Sequence, residues 1–112
     1  MQRIVVNGIR LYRAVQGCEL SEIQRVGVYQ ISKGAAECKY FFRTELEAAA
    51  FAKKFYSIDP TQGPFTVTSA IFPRHVVPTP IPVAGEGNVY CISRTVFPFG
   101  PATIHNKMVI SS

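Results

Sequence analysis

Apolar, aromatic and β-branched residues crowd Ile9-Arg-Leu-Tyr-Arg-Ala-Val15, a β-rich run that predicts a strand. Asn7-Gly8 just before it is the pair that best accepts a type I′ turn, so Arg3–Val6 and Ile9–Val15 read as an opening hairpin. The pattern then changes. Leu20, Ile23 and Val26 recur at helical spacing within Glu19–Val26, and Gly27 is placed to end that helix. Val28–Ile31 reads as a brief strand and Ser32–Glu37 as a polar connection. The aromatic run Lys39-Tyr-Phe-Phe-Arg-Thr44 predicts a strand that stops at Thr44, where a second helix begins. Thr44 and Glu47 have the spacing of a capping box, and packing into the core accounts for Phe51 and Phe55.

Phe65–Phe72 carries Phe65, Val67 and Ile71 on one parity, but Ser69 interrupts it and Ala70 and Phe72 are apolar on the other, as expected of a central strand. Pro73, Pro78, Pro80 and Pro82 exclude a regular helix between Pro73 and Gly87, and a loop of that length predicts a functional role. Asn88–Ser93 reads as a strand, Pro98–Pro101 as a turn and Ala102–Ile110 as a last extended segment. The later connections are too short for helical crossovers, so the class is α+β with mostly antiparallel pairing. No dinucleotide-binding or P-loop glycine motif is present.

Length and charge narrow this picture. The chain has 112 residues, which predicts a single domain over 1–112 with one core. Its net charge of +5 favours a phosphate-bearing or acidic partner, yet the basic residues are scattered, which weighs against nucleic acid without excluding it. Cys18, Cys38 and Cys91 are odd in number and include no C-x-x-C pair, so neither a disulfide framework nor a zinc site is expected, and a reducing compartment is. The N-terminal apolar run is too short for a secretory signal and no segment reaches membrane-spanning length. The expected location is the cytoplasm, or wherever a specialised secretion machine delivers the chain.

Candidate chemistry is sparse. His75 and His105 are far apart in sequence and lack a patterned carboxylate, so surface or capping roles are favoured over general base catalysis. No serine lies in a nucleophile elbow. Glu86, between two glycines and ahead of a strand, is a carboxylate whose backbone can be approached closely; the plainer alternative is an exposed hairpin glutamate. Arg13 closes Leu11-Tyr-Arg13, where a solvated strand-end arginine is the plainer alternative. An Arg, a Thr at the edge of a helix and a Glu opening a late strand have the chemistry to hold a pyrophosphate, an amide or ribose, and a ribose hydroxyl.

On these residues the chain resembles the ADP-ribosyltransferase-like superfamily and the small toxin-like domains of bacterial polymorphic proteins. Leu11-Tyr-Arg13, a short helix, Lys39–Thr44 with its Ala/Phe-rich helix, and Gly63-Pro-Phe-Thr-Val-Thr68 carry the likeness. The resemblance implies split antiparallel sheets with two short helices, and NAD as substrate without a metal. It implies Arg13 on the pyrophosphate, Thr44 at the nicotinamide ribose, Glu86 on the ribose 2′-hydroxyl, and Tyr40 or Tyr56 stacking on nicotinamide. Phe42-Arg43 replaces the small hydroxyl residues of the second motif, and Glu86 alone stands for the Glu-x-Glu of the third. Transfer to another acceptor, or NAD hydrolysis, is therefore expected rather than transfer to arginine. A protein acceptor or an immunity partner would accompany such a toxin-like domain. Two other readings stand beside it: an RNase using His75, His105, Lys39 and Arg74, and a non-catalytic module docking a protein through the 73–87 loop.

Overall fold

The computed structural model describes residues 8–31, 37–62, 64–83 and 87–110. The elements run β1 (Gly8–Val15), α1 (Gly17–Val26), β2 (Cys38–Phe41), α2 (Glu45–Ile58), β3 (Phe65–Pro73), β4 (Ile81–Val83), β5 (Gly87–Ser93) and β6 (Thr103–Ile110). Short 3-10 turns follow α2, β3 and β5. The class is α+β, as expected, with every described strand pair antiparallel.

Two three-stranded sheets divide the strands, in the orders β1-β3-β6 and β2-β5-β4. They meet where Tyr12 and Phe42 exchange both backbone hydrogen bonds at 2.7 Å. This bridge sets β1 beside the end of β2. The predicted first hairpin strand, Arg3–Val6, lies outside the described residues.

β3 is central in its sheet, and both of its faces are covered. Leu11 and Val15 of β1 join Ala70 and Phe72 of β3 in one core with Tyr29, Phe41 and Ile92. Phe65 and Val67 face the other way, against Ala48, Ala49 and Ala52 of α2. Burial on two faces explains why strict alternation fails along Phe65–Phe72. Edge-to-face contacts, such as Phe41 on Phe72 at 5.0 Å and on Tyr29 at 5.1 Å, hold the first core. The buried hydroxyls are also partnered: Thr68 donates to the Arg13 carbonyl at 2.9 Å, so the Tyr29 O–H donates to Thr68 Oγ1 at 2.7 Å.

The helices begin and end where their sequences dictate. Gly27 takes a left-handed φ of 78° and its N–H closes on the Ile23 carbonyl at 2.8 Å, ending α1. The Thr44 side chain accepts from the Glu47 N–H at 3.1 Å and caps α2. What α2 buries differs from expectation. Alanines approach the sheet, while Leu46 is 76% exposed and Phe55 47% exposed. Small side chains let the helix sit close, which leaves Phe55 at the rim instead of in the core.

Three other expectations are revised. Val28–Ile31 contributes one bridge, Tyr29 with Phe99, because the chain around Phe99 supplies a single partner residue. The proline-rich loop contains a 3-10 turn and β4, whose Pro82 is tolerated because β4 is an edge strand. Cys38 and Cys91 form a disulfide, contrary to the reading of an odd cysteine count. Antiparallel β2–β5 pairing sets Tyr40 opposite Cys91 and Cys38 opposite Ser93, so the two cysteines are diagonal neighbours with Cα atoms 5.5 Å apart. Cys18 stays free and exposed. The bond removes the compositional ground for a reducing compartment.

The disulfide closes a sequence separation of 53 residues. Reducing it, or replacing both cysteines by serine, is expected to lower unfolding free energy by about 3–4 kcal/mol, measured by urea denaturation with and without reductant. Coincident midpoints would show that the cross-link adds nothing to stability.

Candidate functional site

Alternation along β1 puts Arg13 on the same face as Leu11 and Val15, so a guanidinium enters the rim of an apolar core. Such a charge needs fixed partners. Glu19, in the first turn of α1, supplies them: Arg13 Nε donates to Oε2 at 2.8 Å and Nη2 to Oε1 at 3.0 Å. Arg13 Nη1 donates to the Tyr40 carbonyl at 3.0 Å, which ties β1 to β2 beside the sheet junction. Lys39 Nζ reaches the same Glu19 carboxylate at 3.2 Å.

These three side chains hold two positive charges against one negative. They are also largely shielded: Arg13 and Glu19 are 21% exposed and Lys39 is 12%. Burial alone would push the Glu19 carboxyl up, but its bonds to Arg13, the Arg13 charge and the nearby Lys39 hold it below the ordinary value of 4.5. Lys39 is depressed first by burial and then by Arg13, with Glu19 offsetting part of the effect. The cluster is therefore short of negative charge and attracts an anion.

A cleft of about 320 Å³ opens beside it, lined by Arg13, Cys38, Lys39, Tyr40, Phe51 and Phe55. Smaller hollows of about 240 and 230 Å³ share the Phe51–Phe55 wall; Ile58 and Lys54 line one, Glu19 and Gln16 the other. Tyr40 packs edge-on to Phe51 with ring centroids 6.2 Å apart and remains 45% exposed. The groove thus offers aromatic faces on one side and excess positive charge on the other. That pairing suits a ligand that is both anionic and planar.

The structure brings Arg13 and Tyr40 into this cleft and sets other candidates elsewhere. Thr44 is the cap of α2, and Phe55 lies roughly 16 Å further along the helix axis at 1.5 Å per residue. Tyr56 packs against the α2-side core. Glu86 lies outside the described residues. Its neighbour Gly87, with φ 77°, opens β5 against Glu47: a Cβ there would come within 3.1 Å of Glu47 Oε2. The start of β5 therefore adjoins the α2 cap. His75 is exposed in the turn after β3 and His105 sits on β6, so the two imidazoles have different surroundings.

His105 has a carboxylate partner that its sequence context concealed. Its Nδ1 faces Glu45 Oε2 at 3.3 Å, and its Nε2 lies 2.9 Å from Ser69 Oγ. Arg10 Nη1 donates to the same Ser69 Oγ at 2.9 Å. The connectivity is that of a nucleophile, base and acid, but Ser69 has no exposed surface. The array consequently fixes Arg10 and does not present a nucleophile. Sequence reading also missed Glu19, whose place in the first helical turn six residues after Arg13 was the available signal.

No protein-family model matches the chain, and neither curated proteins nor solved structures provide a match. Among the described residues, no helix is long and apolar enough to cross a membrane, and no group of three or more His, Cys, Asp or Glu residues is placed to hold a metal ion.

Glu19→Gln leaves Arg13 and Lys39 without their counter-charge and is expected to cost about 2–4 kcal/mol near neutral pH. Because the native carboxyl titrates below its unfolded counterpart, its contribution is present above the ordinary value of 4.5 and is lost as pH falls through the native value. Urea unfolding at a series of acidic pH values should show the wild type converging on Glu19→Gln. Parallel curves would contradict the pairing.

Proposed function

We propose that this domain binds NAD, or a closely related dinucleotide, in the Arg13–Tyr40 cleft and acts as an ADP-ribosyltransferase-like transferase or NAD glycohydrolase. The observation that carries the reading is the cationic excess of Arg13 and Lys39 over Glu19, set beside the bridge that joins the two antiparallel sheets and facing an aromatic wall. The residues present fit such a ligand. Arg13 has N–H groups beyond those given to Glu19 and Tyr40, and Lys39 adds charge for a pyrophosphate. Tyr40, Phe51 and Phe55 provide ring faces for adenine or nicotinamide.

The roles differ in their support. Glu19 acts as a positioning residue that orients the Arg13 guanidinium. Thr44 sets the start of α2 and contributes through that placement, and Tyr56 helps seat the helix. Glu86 is retained from the sequence as the acid that grips the ribose hydroxyl and stabilises positive charge developing on the sugar. The RNase reading gains less, because neither His75 nor His105 lines the cleft that holds Arg13 and Lys39.

Calorimetric titration of NAD tests this directly. Tyr40→Ala should weaken binding roughly three- to tenfold, the equivalent of one lost aromatic stack, while barely changing the unfolding temperature of the free protein. Glu86→Gln should retain binding and stability but lose NAD consumption. If NAD neither binds nor is consumed, or if both variants match the parent, the proposal is wrong.

A further inference from the structure

We propose that a cavity at the open end of β3 is a second binding site, for a small apolar molecule that ends in a carboxylate. The described β6 pairing with β3 runs from Phe65 to Ser69, where Ser69 meets Thr103. Further along β3, Phe99 stacks on Phe72 with centroids 4.5 Å apart, and Phe99 exchanges both backbone bonds with Tyr29. Between this segment and β3 lies a cavity of about 450 Å³, within the range of small-molecule sites. Ile71, Pro73, Phe99 and Pro101 give it apolar walls, and Ile71 is 47% exposed on a strand whose other residues are nearly all buried.

Arg10 is the charged residue in this lining among the described residues, directly opposite Ile71 in the β1–β3 register. Its guanidinium is not free to wander. Nη1 donates to Ser69 Oγ, which is buried and bonded onward to His105, whose other ring nitrogen faces Glu45. Ser69, itself linked through β6 to α2, thus restrains one nitrogen of the exposed Arg10 side chain, which lowers the entropy lost when it binds. Ser69 is its hydrogen-bond partner among the described residues, leaving the Nε–Nη2 edge for a planar acceptor with two oxygens. One cation among apolar walls matches a carboxylate bearing an aromatic or aliphatic body better than a polyphosphate. Arg10 and Arg13 have opposite parity on β1, and no described residue lines both this cavity and the Arg13 cleft. It stands independently of NAD binding.

Phenylbutyrate and its neutral counterpart phenylbutanol, titrated into isotope-labelled protein and followed by amide chemical shifts, test the site. The acid should give saturable shifts at Ile71, Phe99 and Gly100, and the alcohol should bind about tenfold more weakly for want of a charge-assisted pair. Arg10→Gln should bring the acid down to the level of the alcohol, and Ile71→Glu, which sets a carboxylate beside Arg10, should abolish binding of the acid. The inference is overturned if the acid produces no saturable shift, if acid and alcohol bind equally, if Arg10→Gln leaves the acid unaffected, if inorganic phosphate displaces the acid at equal concentration, or if the shifts lie in the Arg13 cleft.

Discussion

The ion pair between Arg13 and Glu19 is the constraint around which the rest is arranged. β1 aims a guanidinium into the rim of an apolar core, and its charge is tolerated because α1 delivers a carboxylate within one helical turn of the strand. The same guanidinium bonds to the Tyr40 carbonyl and so joins the two sheets next to the Tyr12–Phe42 bridge. Lys39 then adds a charge that Glu19 cannot also cancel. A structural necessity of the fold thereby becomes a positive site at the mouth of a cleft.

Two features keep that mouth in shape. The Cys38–Cys91 disulfide holds the strand that carries Lys39 and Tyr40 to its neighbour β5. Across the cleft, close approach of Ala48, Ala49 and Ala52 to the sheet fixes α2 so that Phe51 and Phe55 form a wall. Elsewhere on the first sheet, Ser69 accepts from Arg10 and is linked onward through His105 to Glu45 of α2. Each arginine of β1 is anchored by a side chain from another element.

Local chemistry made much of the fold readable. The β-rich run Ile9–Val15, the Thr44–Glu47 box and Gly27 mark β1 and the helix ends, and the broken parity of Phe65–Phe72 marks a strand covered on both faces. Register was not readable, and with it went the disulfide, since cysteines 53 residues apart become neighbours only once β2 and β5 pair. The helix face was misjudged for a related reason: phenylalanines outweigh alanines in apolar area, yet close packing selects small side chains. Arg13 and Tyr40 sit in contiguous motifs, which made them nameable from sequence, and they line one cleft. Glu45 and Ser69 carry no local mark of their meeting with His105, which depends on the approach of α2 and β6 to β3.

The most direct measurement follows the Arg13 side-chain Nε–H resonance during addition of NAD. The account predicts that it moves saturably, together with the Tyr40 amide, while the Arg10 side-chain signal stays still. A static Arg13 resonance at saturating NAD, or movement confined to Arg10 and its neighbours, would contradict a dinucleotide site built on the Arg13–Glu19 pair.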